Sequence, residues 1–184
     1  MGTTAFLVMD VQNGVVDRME DINPYLDRLS SAINSARKAG LRIVHIRTVF
    51  RPGFVDASPQ NKSIAKVVAW GILTEGSKSA DIHDAIVPDK SDVIVNKSRG
   101  SAFHGCDLET VLCSLDVETL VITGLTTSGV VLSTVRQAAD HDYRLVVLED
   151  LCRDRDQESH DILMKKIFPK QAEVLSSAEW LAGL

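Results

Sequence analysis

Three places in this chain put reactive side chains where an apolar run ends. Asp10 closes TAFLVMD, Lys97 closes SDVIVNK, and GLTTSGVVLSTVRQA (124–138) leads from the apolar TLVIT into a helical pattern. A carboxylate at the end of an apolar run is costly to desolvate unless it is paired or working. Beside an ammonium it stays ionised and can act as a base; desolvation would instead make it an acid. The third stretch places backbone N–H groups, those of Ser128 and Gly129 among them, at a helix start, where an anion or oxyanion could bind. Each place also has a plain structural reading. Asp10 could cap a helix or close a sheet-edge charge pair, Lys97 could be a solvated lysine, and Ser128 could be a helix cap.

For these residues to meet, the elements carrying them must end on one side. The run 4–10 is short and continuous, as in a strand buried on both faces. Residues 23–40 repeat apolar side chains at 26, 29, 33 and 36, with Asn23-Pro24 as a start and Gly40 as a stop. Further strands are predicted over 41–50, 91–98, 118–124, 143–150 and, more weakly, 172–177. Helices are predicted over 106–116, 128–142 and 158–169, with a short one at the end. Between 51 and 90 the pattern is broken by Pro, Gly, Ser and Asp, with room for one or two short helices. Alternating strands and helices imply a three-layer α/β/α, Rossmann-like fold with a mostly parallel six-stranded sheet, here as one domain over 1–184. In such sheets the working residues lie at the carboxyl ends of the strands, where Asp10, Arg47, Lys97 and the turn after Gly124 all fall.

Composition narrows the function. At 184 residues, with 45% apolar and 24% charged side chains, the chain can bury a core without disulfides or metal. A net charge of −5 gives no reason to expect nucleic acid or an anionic membrane as a partner. The opening MGTTAFLVMD has no basic n-region and soon reaches an Asp, so neither a signal peptide nor a membrane span is expected there. Cys106, Cys113 and Cys152 form no CxxC pair, which suits a reducing, cytoplasmic setting. Cys106 and Cys113 are expected two turns apart on one helix face, Cys113 in the core, and Cys152 just past the fifth strand near the site's rim.

DVQNG (10–14), NKSRGSAF (96–103) and GLTTSGVVLSTVRQA (124–138) together resemble the isochorismatase-like hydrolases, the superfamily of nicotinamidases, N-carbamoylsarcosine amidases and isochorismatases. The family pattern is D-x-Q-x after the first strand, a Lys in the third, and G-x-x-T-x-x-C-V-x-x-T-A at the nucleophile. YRLVVLEDLC (143–152) also matches, so the resemblance spans nearly the whole chain. It implies Asp10 as acid/base and Lys97 as electrostatic partner. Counting from Gly124 and Thr127, and back from Thr134, Val130 stands in the cysteine's place. A valine cannot form the family's thioester. The isochorismatases proper resemble this arrangement, keeping the Asp and Lys without a cysteine and protonating a vinyl ether from the Asp. The family is generally oligomeric, which implies a homo-oligomer here, with 51–90 partly covering the site and contributing to an interface.

The nicotinamidases' zinc motif, D-x-H-x-x-H, has only Asp56 of FVDASPQNK in its place, and the five histidines are scattered without ligand spacing. No metal and no other cofactor is expected. Gln12, Arg47, Arg99 and Phe103 are candidate substrate contacts, with Trp70 as a further pocket wall. Arg47, Arg51 and Arg99 fit an anionic substrate, and equally a set of surface ion pairs. The leading reading is a small-molecule hydrolase using Asp10 and Lys97. The second is a catalytically silent relative that binds a small ligand or serves as an oligomer subunit. A dinucleotide-binding domain is disfavoured, because no G-x-G-x-x-G follows a strand.

Overall fold

The structure, a computed structural model, describes residues 3–184; the first two residues of the opening stretch lie outside it. Its centre is a six-stranded sheet in the order β3-β2-β1-β4-β5-β6. The strands are β1 (Thr3–Met9), β2 (Arg42–Thr48), β3 (Val93–Lys97), β4 (Val117–Leu125), β5 (Arg144–Arg153) and β6 (Glu173–Leu175), and every pairing is parallel. Strand order reverses between β1 and β4. The chain moves outward from β1 on one side and from β4 on the other, which opens a crevice above their carboxyl ends.

Alternation along the strands divides the core in two. Ala5, Leu7 and Met9 of β1 face one layer, with Val44, Ile46, Leu120 and Ile122. There they pack on Leu108 and Leu112 of α4 (Leu108–Ser114) and on Val135 and Ala138 of α5 (Leu132–Asp140). Phe6 and Val8 face the other layer, where the long α2 (Asn23–Lys38) lies. That helix buries Leu26, Leu29, Ile33 and Ala36, the periodic positions of the sequence, together with Tyr25 and Ala32. Each fully buried Leu or Ile contributes about 1.5–3 kcal/mol, so the amphipathic stripe rather than helix propensity holds α2 in place. Trp180 of the closing helix α7 (Ser177–Ala182) meets Phe6 at 5.3 Å between ring centroids.

Three shorter helices complete the frame. A four-residue α1 (Asn13–Val16), which no periodicity announced, turns the chain off β1. The weakly patterned stretch 51–90 carries α3 (Lys62–Trp70) and three short helical turns. The Asn61 side chain starts α3 by accepting from the amides of Ser63 and Ile64, and Gly71 ends it at φ 65°. Phe50, Ile64 and Leu73 form a small cluster apart from both main layers, so this stretch stands over the carboxyl edge on its own packing. After β5, α6 (Gln157–Ile162) continues through a wider turn to Ile167.

The thiols depart from expectation. Cys106 precedes α4 rather than belonging to it, and Cys113 is exposed, because α4 turns Leu108 and Leu112 inward instead. Cys152 lies inside β5 and is buried, paired with Gly124, because β5 runs three residues beyond its apolar run.

Candidate active site

Asp10 is the first residue past β1 and sits at φ 55°, a left-handed conformation that Asp tolerates better than most residues. Its amide donates to the carbonyl of Ile46, so the chain turns without leaving β2. The carboxylate is thereby lifted over the strand ends. Lys97, two strands away, reaches it: Nζ donates to Asp10 Oδ2 at 2.9 Å, to Thr48 Oγ1 at 2.7 Å and to the carbonyl of Arg99 at 2.8 Å. The ammonium has three hydrogens, and all three are directed at protein acceptors. Its side chain is 1% exposed and that of Asp10 11%, so the carboxylate is the member of the pair that a ligand can touch.

Across the crevice, β4 ends at Leu125, the Leu125–Thr126 peptide is cis, and a wide helical turn, Thr127–Val131, leads into α5. The turn is held from the β5 side. Asp154 accepts from both the amide and the hydroxyl of Ser128, each at 2.6 Å, and Thr127 Oγ1 lies 2.8 Å from His160 Nδ1. Burial pushes the His160 imidazole down, favouring its neutral form. The Gly129 amide donates to the Thr126 carbonyl at 3.2 Å. Both amides singled out as oxyanion donors are therefore engaged within the protein. Val130 is buried and forms part of the cavity wall.

The cavity over these residues has a volume of about 590 Å³. Asp10, Lys97, Ser128, Gly129 and Val130 border it, with Arg99 and Arg155 on the charged side. Its apolar side comes from Ile64, Val67 and Trp70 of α3. Trp70 stands between two guanidinium groups, Arg18 at 5.0 Å and Arg155 at 5.1 Å from its ring. Arg99 is anchored through Nη1 on the carbonyls of Asp56 and Ser98. The other candidate contacts do not border the cavity. Gln12 is fully buried, with its amide on the backbone of Thr48 and Ala80. Arg47 bonds Asn96, and Phe103 stacks on His141 and Tyr143. Trp70 and a covering role for 51–90 were singled out in the sequence, whereas Thr48, Arg155 and, within α3, Ile64 and Val67 were not. They come from an unremarkable threonine at a strand end and from stretches without periodicity.

The profile of the isochorismatase domain matches residues 4–179. The chain belongs to the isochorismatase family. It is 31% identical over 179 residues to the ureidoacrylate amidohydrolase RutB of Methylobacterium radiotolerans, covering 85% of this chain and 69% of that one. It is 25% identical over 160 residues to the maleamate amidohydrolase of Pseudomonas putida, covering 86% and 74%. Among solved structures, a cysteine hydrolase from Pseudomonas syringae pv. phaseolicola superposes with a TM-score of 0.90 at 24% identity, over 97% of this chain and 91% of that one, which speaks for the fold alone.

As a family member, the chain departs from the zinc-binding branch at the place where that metal would sit. Asp56 Oδ1 accepts from the Arg51 amide, and no histidine joins it. Among the described residues no group of His, Cys, Asp and Glu side chains is placed to hold a metal ion, so the residues present do not fit zinc. No described helix is long and apolar enough to cross a membrane.

Proposed function

We propose that this family member hydrolyses a small anionic molecule, with Asp10 as acid/base, Lys97 as its electrostatic partner and no covalent cysteine intermediate. The observation that carries the reading is the Lys97–Asp10 contact of 2.9 Å at the base of a cavity whose nucleophile turn presents Val130. A buried ion pair kept at a strand-end crevice is an expensive feature for a fold that only packs, since taking each ion out of water costs several kcal/mol that their attraction repays only in part. Among the residues bordering the cavity, Asp10 is the only acid, while Lys97, Arg99 and Arg155 are cations. That excess of positive charge, in a chain of net charge −5, favours an anionic ligand.

The chemistry needs one proton carrier and one water. Asp10, as a carboxylate, takes a proton from water as the water oxygen adds to the electrophilic carbon, and gives that proton to the leaving atom as the scissile bond breaks, which returns Asp10 to its starting state. Lys97 stabilises the carboxylate before and after these steps without touching the substrate. The names of the two amidohydrolase relatives support a C–N bond as target, and the absent thiol supports water rather than a side chain as the nucleophile. A thermal-shift screen of carboxamides, N-carbamoyl acids and enol ethers, followed by turnover assays on the compounds that bind, tests the reading. Product formed by the wild type and not by Asp10→Asn supports it; equal turnover by both removes Asp10 from the chemistry.

Val130 in the cysteine's place also favours a second reading, a silent member that binds a small ligand. A compound that raises Tm in both proteins, with no product from either across the panel, would decide for it. The proposal further takes 1–184 as one cytoplasmic domain that assembles as a homo-oligomer. Three free thiols suit a reducing compartment, and Val55 and Val87 within 51–90, with Ile94 just beyond it on β3, are exposed apolar side chains that suit a subunit contact. Sedimentation as a monomer at all concentrations would remove the oligomer.

A further inference from the structure

Thr48 has no part in the motifs that define the site, yet its hydroxyl touches both members of the buried pair. It accepts from Lys97 Nζ at 2.7 Å, and it lies 3.1 Å from Asp10 Oδ1. An ammonium can only donate, so the single hydroxyl proton of Thr48 must point at Asp10. The direction of the bond is fixed by the lysine rather than chosen by the threonine.

The threonine is itself held. Gln12 accepts from the Thr48 amide at 2.8 Å and donates to the Thr48 carbonyl at 2.9 Å, and its second amide hydrogen goes to Ala80 at 2.8 Å. Thr48 also pairs with Lys97 across β2 and β3. Its backbone is thus pinned on both sides, and its side chain is buried with 8% of the residue exposed.

The two oxygens of Asp10 are therefore not equivalent. Oδ2 faces the ammonium, where an added proton would be repelled. Oδ1 faces a hydroxyl donor and keeps a second lone pair for the cavity. We infer that Thr48 is a positioning residue that fixes the rotation of the Asp10 carboxyl, keeping Oδ2 on Lys97 and making Oδ1 the oxygen that carries the proton to and from substrate. The inference rests on Asp10 being the acid/base group.

The test uses Thr48→Val, which keeps the shape and removes the hydroxyl, and Thr48→Ser, which restores it, with Asp10→Asn as reference. On whichever carboxamide, N-carbamoyl acid or enol ether the wild type turns over, Thr48→Val should lower kcat about 10- to 100-fold with KM little changed, as expected for a misplaced catalytic group. Thr48→Ser should recover most of that rate. Full kcat in Thr48→Val beside a dead Asp10→Asn overturns the role of Thr48 alone, whereas an active Asp10→Asn overturns the acid/base reading itself. A second readout needs no substrate. In nitrogen-labelled protein the Lys97 ammonium, with all three hydrogens bonded, should give a slowly exchanging signal that is lost in Thr48→Val and kept in Thr48→Ser. An unchanged signal in Thr48→Val also overturns the role.

Discussion

Gly124 of β4 lies directly against Met9 of β1: a β-carbon on Gly124 would stand 2.3 Å from the Met9 carbonyl oxygen and 2.9 Å from the Met9 Cβ. Its φ of 143° adds a second reason for glycine. This close approach sits at the reversal of strand order, one residue before Asp10 on one strand and one before Leu125 on the other. It sets how near the carboxylate and the turn bearing Val130 can come. Gly124→Ala should destabilise the protein by roughly 3 kcal/mol or more, since backbone must move. Denaturant unfolding checks this, and a midpoint equal to the wild type's would show that the two strands have room to part.

Asp10→Asn should remove hydrolysis, by about 100- to 10,000-fold, while the protein stays folded. Asn tolerates the φ of 55° at this position nearly as well as Asp, and its side chain keeps the shape of the carboxylate. Circular dichroism should match the wild type's. A variant that loses activity only because it no longer folds would not fit this account.

The parts of the site that repeat a pattern were readable before the structure. Asp10 ends a run whose burial on both faces is written in continuous apolar residues, Lys97 ends a shorter run that forms an edge strand with Ile94 exposed, and the turn after Gly124 stands between a strand period and a helix period. The parts made by long-range register were not. The place of Thr48 depends on where β2 stops against β3. The saturated amide of Gln12 depends on a loop more than sixty residues away coming back to meet it, at Ala80. The α3 wall arises in a stretch whose few apolar side chains form their own small cluster, so no stripe long enough to read as a helix against the core exists. Cys152 was misplaced because the strand-end register between β4 and β5 is irregular: Ile122 pairs with Val147, but Gly124 pairs with Cys152.

Mild acid should weaken the fold through its buried histidines. His45 is buried, with Nε2 3.3 Å from Asp92 Oδ2 and Nδ1 without a partner among the described residues. Burial holds its pKa below the usual 6.5, and the nearby Asp92 only partly offsets this, while Arg37 on the same carboxylate adds to the lowering. The unfolded chain therefore takes up a proton that the folded chain refuses. The stability this gives is complete above about pH 6.5 and is lost as pH falls from there towards the depressed folded value, at no more than about 1.4 kcal/mol per pH unit for one proton. His160, also lowered by burial, adds to the same slope. Tm should fall between pH 7 and pH 5, and His45→Asn should make that fall shallower. An equal slope in the variant would assign it elsewhere.

The central claim is hydrolysis without a thiol, and one variant tests it most directly. Cys113 is exposed, Cys106 is half-buried with its thiol raised by burial, and Cys152 is buried within β5 with its thiol pushed up strongly by the same cause. None borders the cavity. Turnover should be measured, on a compound that the wild type hydrolyses, in the triple replacement Cys106→Ser, Cys113→Ser and Cys152→Ala. The account predicts a rate close to the wild type's, with no acyl adduct on any cysteine of the wild-type protein by mass spectrometry during turnover. A triple variant that folds but is inactive, or a thioester trapped on any of the three, would contradict it.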